Sequence, residues 1–300
     1  MLKVAWAPIY HHPLPENHRF PMAKYSLLPE QLMHEGTIDS SDFFAPELLP
    51  VQRILRSHDS EYWTQLNELT LPGKAQRKIG FPLSSELIER ERIICQGTVD
   101  TTEFALKHGC SLNIAGGTHH AFYERGEGFC ILNDIIVGAH HLIDHHHLQR
   151  ILVIDLDVHQ GNGTAAMAKD DPRIFTFSMH GEKNYPYHKE VSDLDVPLPD
   201  FISDQAYLSL LDYHLGKLFD TVAPEFVFFQ SGVDVIRGDK LGRMDLTLDG
   251  CKERDRMVFE RCHRNEVPVA VNMGGGYSPE IRNIIEAHAN TFRTAAFYFG

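Results

Sequence analysis

Asp155, Asp157 and His159 stand two residues apart in ILVIDLDVHQGNGT, residues 151–164. Side chains of a β-strand alternate between faces, so a strand running through this stretch would point all three the same way. Carboxylates aimed into one region repel unless a cation, a proton or hydrogen bonds compensate. Asp234, in QSGVD, could join Asp157 and His159 in a mixed oxygen and nitrogen metal site. Zinc accepts such ligands, and three protein ligands leave a position open for water and substrate. From these residues alone an ordinary reading stands beside this one, with Asp155 capping a turn and His159 in a satisfied core. His119 and His120, in GGTHHA, follow an apolar run. Two imidazoles beside a metal could accept and donate protons in hydrolysis, given partners that fix their tautomers. The tract HHLIDHHH, residues 140–147, reads instead as a solvated helix face and its end.

Six short apolar runs are of strand length and rich in β-branched or aromatic residues: 2–8, 111–117, 150–158, 173–180, 225–234 and 267–277. Between them, 203–224 and 247–265 repeat apolar residues at helical spacing, the second with one charged face. Alternating strands and helices predict an α/β fold, a parallel sheet with helices on both faces. Polar residues and glycines gather at the C-terminal ends of the strands, as GGTHH, DLDVHQGNG, SMHG, SGVD and GGGY. Open parallel sheets bind ligands beyond that edge, so one site built from these loops is expected. No repeat or linker divides the chain, which reads as a single domain over residues 1–300.

The chain has 300 residues, 43% of them hydrophobic, enough for one large core. Five cysteines with no CxxC pair read as free thiols in a reducing compartment. The net charge of −13 argues against direct nucleic-acid binding. No run approaches the roughly 18 apolar residues of a membrane span, and the N-terminus lacks a long apolar signal segment, so a cytoplasmic protein away from membranes is expected.

The pieces GGTHHA, GFCILND, DLDVHQGNGT, SGVDVIRGDKLG and NMGGGY, in that order, resemble the histone deacetylases and their bacterial acyl-amide hydrolase relatives. HQGNG, where many relatives carry a second His or Asp, is most similar to the class IV branch. The resemblance runs from about residue 95 to 280 and more loosely across the N-terminal third. It implies an arginase/deacetylase-like fold and removal of acetyl or longer acyl groups from lysine side chains of proteins or peptides. Zn2+, or Fe2+ in its place, would be held by Asp157, His159 and Asp234. His119 and His120 would be the proton-transfer pair, with Asp155 orienting His119 and Asn162 beside His120. Asn162, a neutral acceptor, would leave His120 neutral and suited to act as a base. Tyr277 would donate its hydroxyl to the carbonyl oxygen. Phe129 and Tyr185 would flank an acyl-lysine tunnel, with Gly128 and Gly275 along it. A structural K+ would sit at the carbonyls near Asp155, Asp157 and His159, with Ser178 and Met179.

Other features read more plainly. Cys130 packs near the site, and Cys95, Cys110, Cys251 and Cys262 are structural. Arg19 either reaches the pocket floor or starts a helix. Residues 37–80 suggest nothing specific, and the sequence does not indicate an oligomeric state. Three other functions compete. One is a deacetylase of acetylpolyamines or other small acyl amides, with the same site. Another is an arginase-like ureohydrolase, for which two metals would need more acids than DLDVH and SGVD supply; Asp239, in a turn, is a poor substitute. The last is a non-catalytic acyl-lysine binder, disfavoured because every catalytic position is filled.

Overall fold

The apolar runs become strands buried on both faces. The computed structural model describes residues 2–300. Among these, eight strands form one sheet: β1 (Lys3–Ala5), β2 (Phe43–Phe44), β3 (Cys110–Asn113), β4 (Ile151–Asp155), β5 (Ile174–Gly181), β6 (Leu194–Leu198), β7 (Phe226–Gln230) and β8 (Val269–Asn272). Every neighbouring pair is parallel, in the order β2-β1-β3-β8-β7-β4-β5-β6. The connections contain the helices α1 (Lys24–His34), α2 (Val51–Ser57), α3 (Ser60–Asn67), α4 (Gly73–Ile79), α5 (Ser85–His108), α6 (Asp134–His146), α7 (Asn162–Ala168), α8 (Asp204–Val222) and α9 (Leu248–Arg264), and α10 (Ile281–Phe299) follows β8.

Alternation along the central strands divides the interior in two. Ile151, Val153, Phe226, Phe228 and Ala270 pack with Ile135, Ile136 and Ala139 of α6. Leu152, Ile154, Val227, Phe229, Val269 and Val271 face the other way, into a larger core with Leu211, Leu215, Val258, Phe259 and Phe292 of α8, α9 and α10. A strand buried on both sides has no polar face, which is why these runs read as continuously apolar.

Two edge strands have no counterpart among the apolar runs. β2 is two residues long, and β6 carries Asp195 and Pro197, which an edge tolerates because one side of it lacks a partner strand. The stretch 37–80, silent in sequence, folds into β2, α2, α3 and α4. Its end positions the loop of Gly128 and Phe129, whose N–H groups donate to the carbonyls of Lys78 and Ile79 at 3.0 and 2.7 Å.

The four middle strands, β3, β8, β7 and β4, lie side by side. Their C-terminal ends lead into the loops that carry His119 and His120, Tyr277, Asp234, and Asp157 with His159. No helix among the described residues is long and apolar enough to cross a membrane.

Candidate active site

β4 stops at Asp155 instead of running on to His159. Two successive Asx turns curl the chain: Asp155 Oδ1 accepts Asp157 N–H at 3.1 Å, and Asp157 Oδ1 accepts His159 N–H at 3.0 Å. The three side chains therefore do not share one strand face. Asp155 turns to the histidine loop, while Asp157 and His159 turn to Asp234.

His159 Nδ1 lies 3.0 Å from Asp157 Oδ1 and 3.1 Å from Asp234 Oδ2. All three residues are buried, and their ligand atoms lie within 4.8 Å of one another. Asp234 Oδ1 accepts Val158 N–H at 3.0 Å, and Asp157 Oδ2 accepts Gly275 N–H at 2.9 Å. Asp234 Oδ2, despite its nearness to His159, lacks the alignment of a hydrogen bond and has no donor. Burial, then the charge of Asp157, push the Asp234 carboxyl well up from its usual range. Two buried carboxylates with one imidazole are short of positive charge, so this donor set fits a divalent cation. The site is also cramped: a Cβ on Gly275 would collide with Asp234 Oδ2.

The histidine loop leaves β3 through Gly116 and Gly117, both at positive φ, where side chains would collide with Asp134 and Gln230. His119 Nδ1 lies 2.7 Å from Asp155 Oδ2, and His120 Nδ1 lies 2.6 Å from Asn162 Oδ1. Burial lowers the pKa of His119, but the charge and hydrogen bond of Asp155 outweigh it and the net shift is upward. Burial, then His119 and His159, drive His120 well below the usual imidazole range. Asn162 Nδ2 donates to Glu127 Oε1 at 3.0 Å, so its oxygen faces His120. His120 must then donate through Nδ1, which leaves Nε2 with a lone pair.

Tyr277 is half-buried, 6.4 Å from His159 between ring centres. Burial, then Asp234 and Asp157, hold its hydroxyl protonated and hence able to donate. Phe129 takes positive φ after Gly128, where a Cβ would run into the His120 ring. Tyr185 stands edge-on to His120 at 4.9 Å. An inner cavity of about 40 Å³ reaches His119, His120, Asp157, His159 and Tyr277. A second cavity of about 510 Å³ shares His120, Gly128, Phe129, His159 and Tyr277 with it and forms a wider mouth bounded by Tyr185. Asp155 pairs with Ser178 across β4 and β5, with Met179 next along the strand, so the residues expected around a monovalent cation adjoin.

The Histone deacetylase domain family matches residues 18–292. The chain belongs to the histone deacetylase family. An uncharacterised protein from Picosynechococcus is 43% identical over 292 residues, 97% of each chain. Histone deacetylase 2 of Arabidopsis thaliana is 26% identical over 89% of this chain and 72% of its own. Among solved structures, an HDAC homolog from Aquifex aeolicus has a TM-score of 0.83 at 25% identity, over 97% of this chain and 82% of that one. An HDAC homolog complexed with SAHA has a TM-score of 0.84 at 26% identity, over 98% and 83%.

Several residues that shape this histone deacetylase site escaped the sequence reading. Arg254 lay on a helix read as charged on one face, yet it is fully buried. It pairs with Asp255 at 2.7 Å and donates to the carbonyls of Leu156, Ser231 and Gly232, bracing the loops of Asp157 and Asp234 from behind. Asp134 accepts the N–H groups of Gly117 and Thr118 at 3.0 and 2.8 Å, fixing the histidine loop. Lys24, not Arg19, is the buried cation of the N-terminal segment; its Nζ donates to Gly274 O at 2.9 Å. Arg19 neither reaches the floor nor starts α1; it is exposed and lies over the Phe129 ring at 4.9 Å. His141, in the tract read as solvated, is buried, and its Nε2 shares Glu103 Oε1 with His146 Nε2, each at 2.7 Å. Asp239 is no metal ligand but a backbone acceptor, taking the N–H groups of Leu241, Gly242 and Tyr277. All five cysteines are buried and free.

Proposed function

We propose that the chain is a zinc-dependent amidohydrolase that removes acetyl or longer acyl groups from lysine side chains of proteins or peptides. The observation that carries this reading is the donor set of Asp157, His159 and Asp234, with one carboxylate oxygen lacking a donor, opposite a histidine with a free Nε2. Asp157, His159 and Asp234 would hold Zn2+, or Fe2+ in its place. When bound, the ion would polarise the amide carbonyl and acidify water. His120 takes the proton of the attacking water at Nε2, since Asn162 fixes it as the neutral Nδ1–H tautomer. His119, tied to Asp155, is the histidine that holds a proton, and it delivers that proton to the leaving lysine amine. Tyr277 donates its hydroxyl to the oxyanion that develops on the acyl carbonyl. Phe129 and Tyr185, with Gly128 and Gly275, hold the acyl-lysine chain away from water.

Three finer assignments belong to the same proposal. The resemblance supports a structural K+ at the carbonyls of Asp155, Asp157 and His159 with Ser178 and Met179, and HQGNG supports the class IV branch. Five buried free thiols support a cytoplasmic location. The test is metal analysis of the purified chain, with deacylation followed on acetyl-lysine peptides, longer acyl-lysine peptides and acetylated polyamines. One tightly held metal and turnover of lysine peptides are expected. A chain that cleaves only polyamines, or none of these amides, overturns the reading.

A further inference from the structure

The mouth of the tunnel reverses the charge of the chain. The sequence carries 41 acidic against 28 basic residues, Lys and Arg together. Yet the mouth is lined by Arg19, Lys78, Lys183, Lys240 and Arg243, and by no Asp or Glu. These five come from four separated segments, so no single basic run accounts for them. All five are exposed. Asp200 stands 3.1 Å from Arg243 and 3.9 Å from Lys183 and offsets part of their charge. Arg19, Lys78 and Lys240 have no carboxylate within ion-pair distance among the described residues. A cleft lined by one sign of charge raises the local concentration of oppositely charged ligands.

The position of the charge shows which end of a substrate it reads. Beyond Phe129 and Tyr185, where an acyl group would lie, the cation lining the inner cavity is buried Arg90, which is ion-paired with Glu91, and the ammonium of buried Lys24 is held by the Gly274 carbonyl. The five cations ring the outside, where the chain bearing the acylated amine would rest. At physiological salt their influence extends about 8 Å, the reach of two or three residues of extended peptide.

Resting on the reading given under Proposed function, we propose that the substrate is an acyl-lysine set among acidic residues, with Asp or Glu within about three positions of the modified lysine. Lysine- and arginine-rich tails and acetylated polyamines, both cationic, are repelled at the same rim. A long polyanion such as nucleic acid is disfavoured, because the rest of the molecule is strongly acidic.

Three acetyl-lysine peptides of equal length, flanked by Glu and Asp, by Gly and Ser, or by Lys and Arg, test this on the metal-loaded enzyme. At low salt, kcat/KM should be at least roughly tenfold higher for the acidic than for the basic peptide, with the difference mainly in KM. The preference should shrink toward parity in about 0.5 M salt. Lys78→Glu with Lys240→Glu should cut the acidic-over-basic ratio by a further factor of about ten, with Tm within a few degrees of wild type. Turnover of the neutral peptide with equal or better turnover of the basic one overturns the proposal and leaves the deacylase reading intact. A ratio unmoved by the double substitution also overturns it. Failure to cleave any of the three removes the deacylase reading, and this one with it. Stimulation of turnover by single-stranded DNA would reassign the patch to nucleic acid.

Discussion

The carboxylate of Asp239 holds the main chain of Tyr277, with Oδ2 accepting the Tyr277 N–H at 2.6 Å. Its Oδ1 accepts the N–H groups of Leu241 and Gly242 at 2.8 and 2.9 Å. One side chain thus ties the loop after Asp234 to the glycine-rich loop of Tyr277. Asp239→Asn keeps the Oδ1 acceptor and turns an NH2 group toward the Tyr277 N–H, so it breaks one tie selectively. A misplacement of about 1 Å can cost on the order of 10²-fold in rate. We expect a fall in kcat of that order with metal content unchanged; steady-state kinetics and elemental analysis of one preparation check both.

Tyr277→Phe removes only the hydroxyl. If that hydroxyl meets the developing oxyanion, turnover should fall about 10²–10³-fold while KM changes far less. Turnover within a few-fold of wild type on the best substrate would remove Tyr277 from the chemistry.

Much of this architecture is legible in the sequence, for a physical reason. Central parallel strands are buried on both faces, so Cys110–Asn113, Ile151–Asp155, Phe226–Gln230 and Val269–Asn272 read as apolar runs ending in polar loops. The His pair, the Asp and His loop and Tyr277 stand at those ends, within reach of motif and resemblance. What a linear pattern does not display is a polar residue whose partners lie far along the chain. Arg254 meets the carbonyl of Leu156, and Lys24 that of Gly274, across separations of 98 and 250 residues. Helical periodicity gave no sign that either is buried. Exposed Arg19 likewise has its neighbour, Phe129, far along the chain, on a loop held by the end of α4.

Asp234→Asn separates metal binding from folding. Asn Oδ1 can still accept the Val158 N–H, but the negative charge is gone. In the metal-free protein this relieves repulsion between two buried carboxylates, so Tm should hold or rise. Added Zn2+ should then raise Tm much less than in wild type, because ligand stabilisation scales with the logarithm of [L]/Kd. Differential scanning fluorimetry with and without Zn2+ decides it; an undiminished rise would mean that Asp234 is no ligand.

His58 makes stability acid-sensitive. Its Nδ1 lies 3.0 Å from the Phe122 carbonyl, and its Nε2 accepts the N–H of Asn133, the residue that caps α6, at 3.0 Å. Protonation at Nε2 would set two donors against each other. Burial, partly opposed by the two backbone hydrogen bonds, lowers its pKa to about 4 from the ordinary 6.5. Between those values the unfolded chain binds a proton that the folded chain does not. This contribution is complete above about pH 6.5 and is lost as pH falls toward 4. His140 and His180, each lowered to about 4 by burial first, act in the same direction. Between pH 7.5 and pH 5, wild type should therefore lose more of its urea midpoint than His58→Gln. Equal losses in both proteins would exclude His58 as a source.

The contact between His120 and Asn162 sets the last prediction. Asn162 accepts from His120 Nδ1 and donates to Glu127, so His120 meets a neutral oxygen, and burial, then His119 and His159, keep it unprotonated. Asn162→Asp alone would put a carboxylate against His120 but also against Glu127, at the present 3.0 Å spacing. Two like charges so placed should lower Tm. Glu127→Gln in the same chain gives the introduced carboxylate a donor and should return Tm most of the way. In that double variant the carboxylate favours imidazolium and raises the His120 pKa, since an opposite charge within hydrogen-bond reach shifts a pKa by about 1–3 units. A base is active only when unprotonated, so the acidic limb of kcat/KM against pH should move to higher pH by at least about one unit. An acidic limb that stays in place, in a double variant with restored Tm and full metal, would mean that another group takes the water's proton.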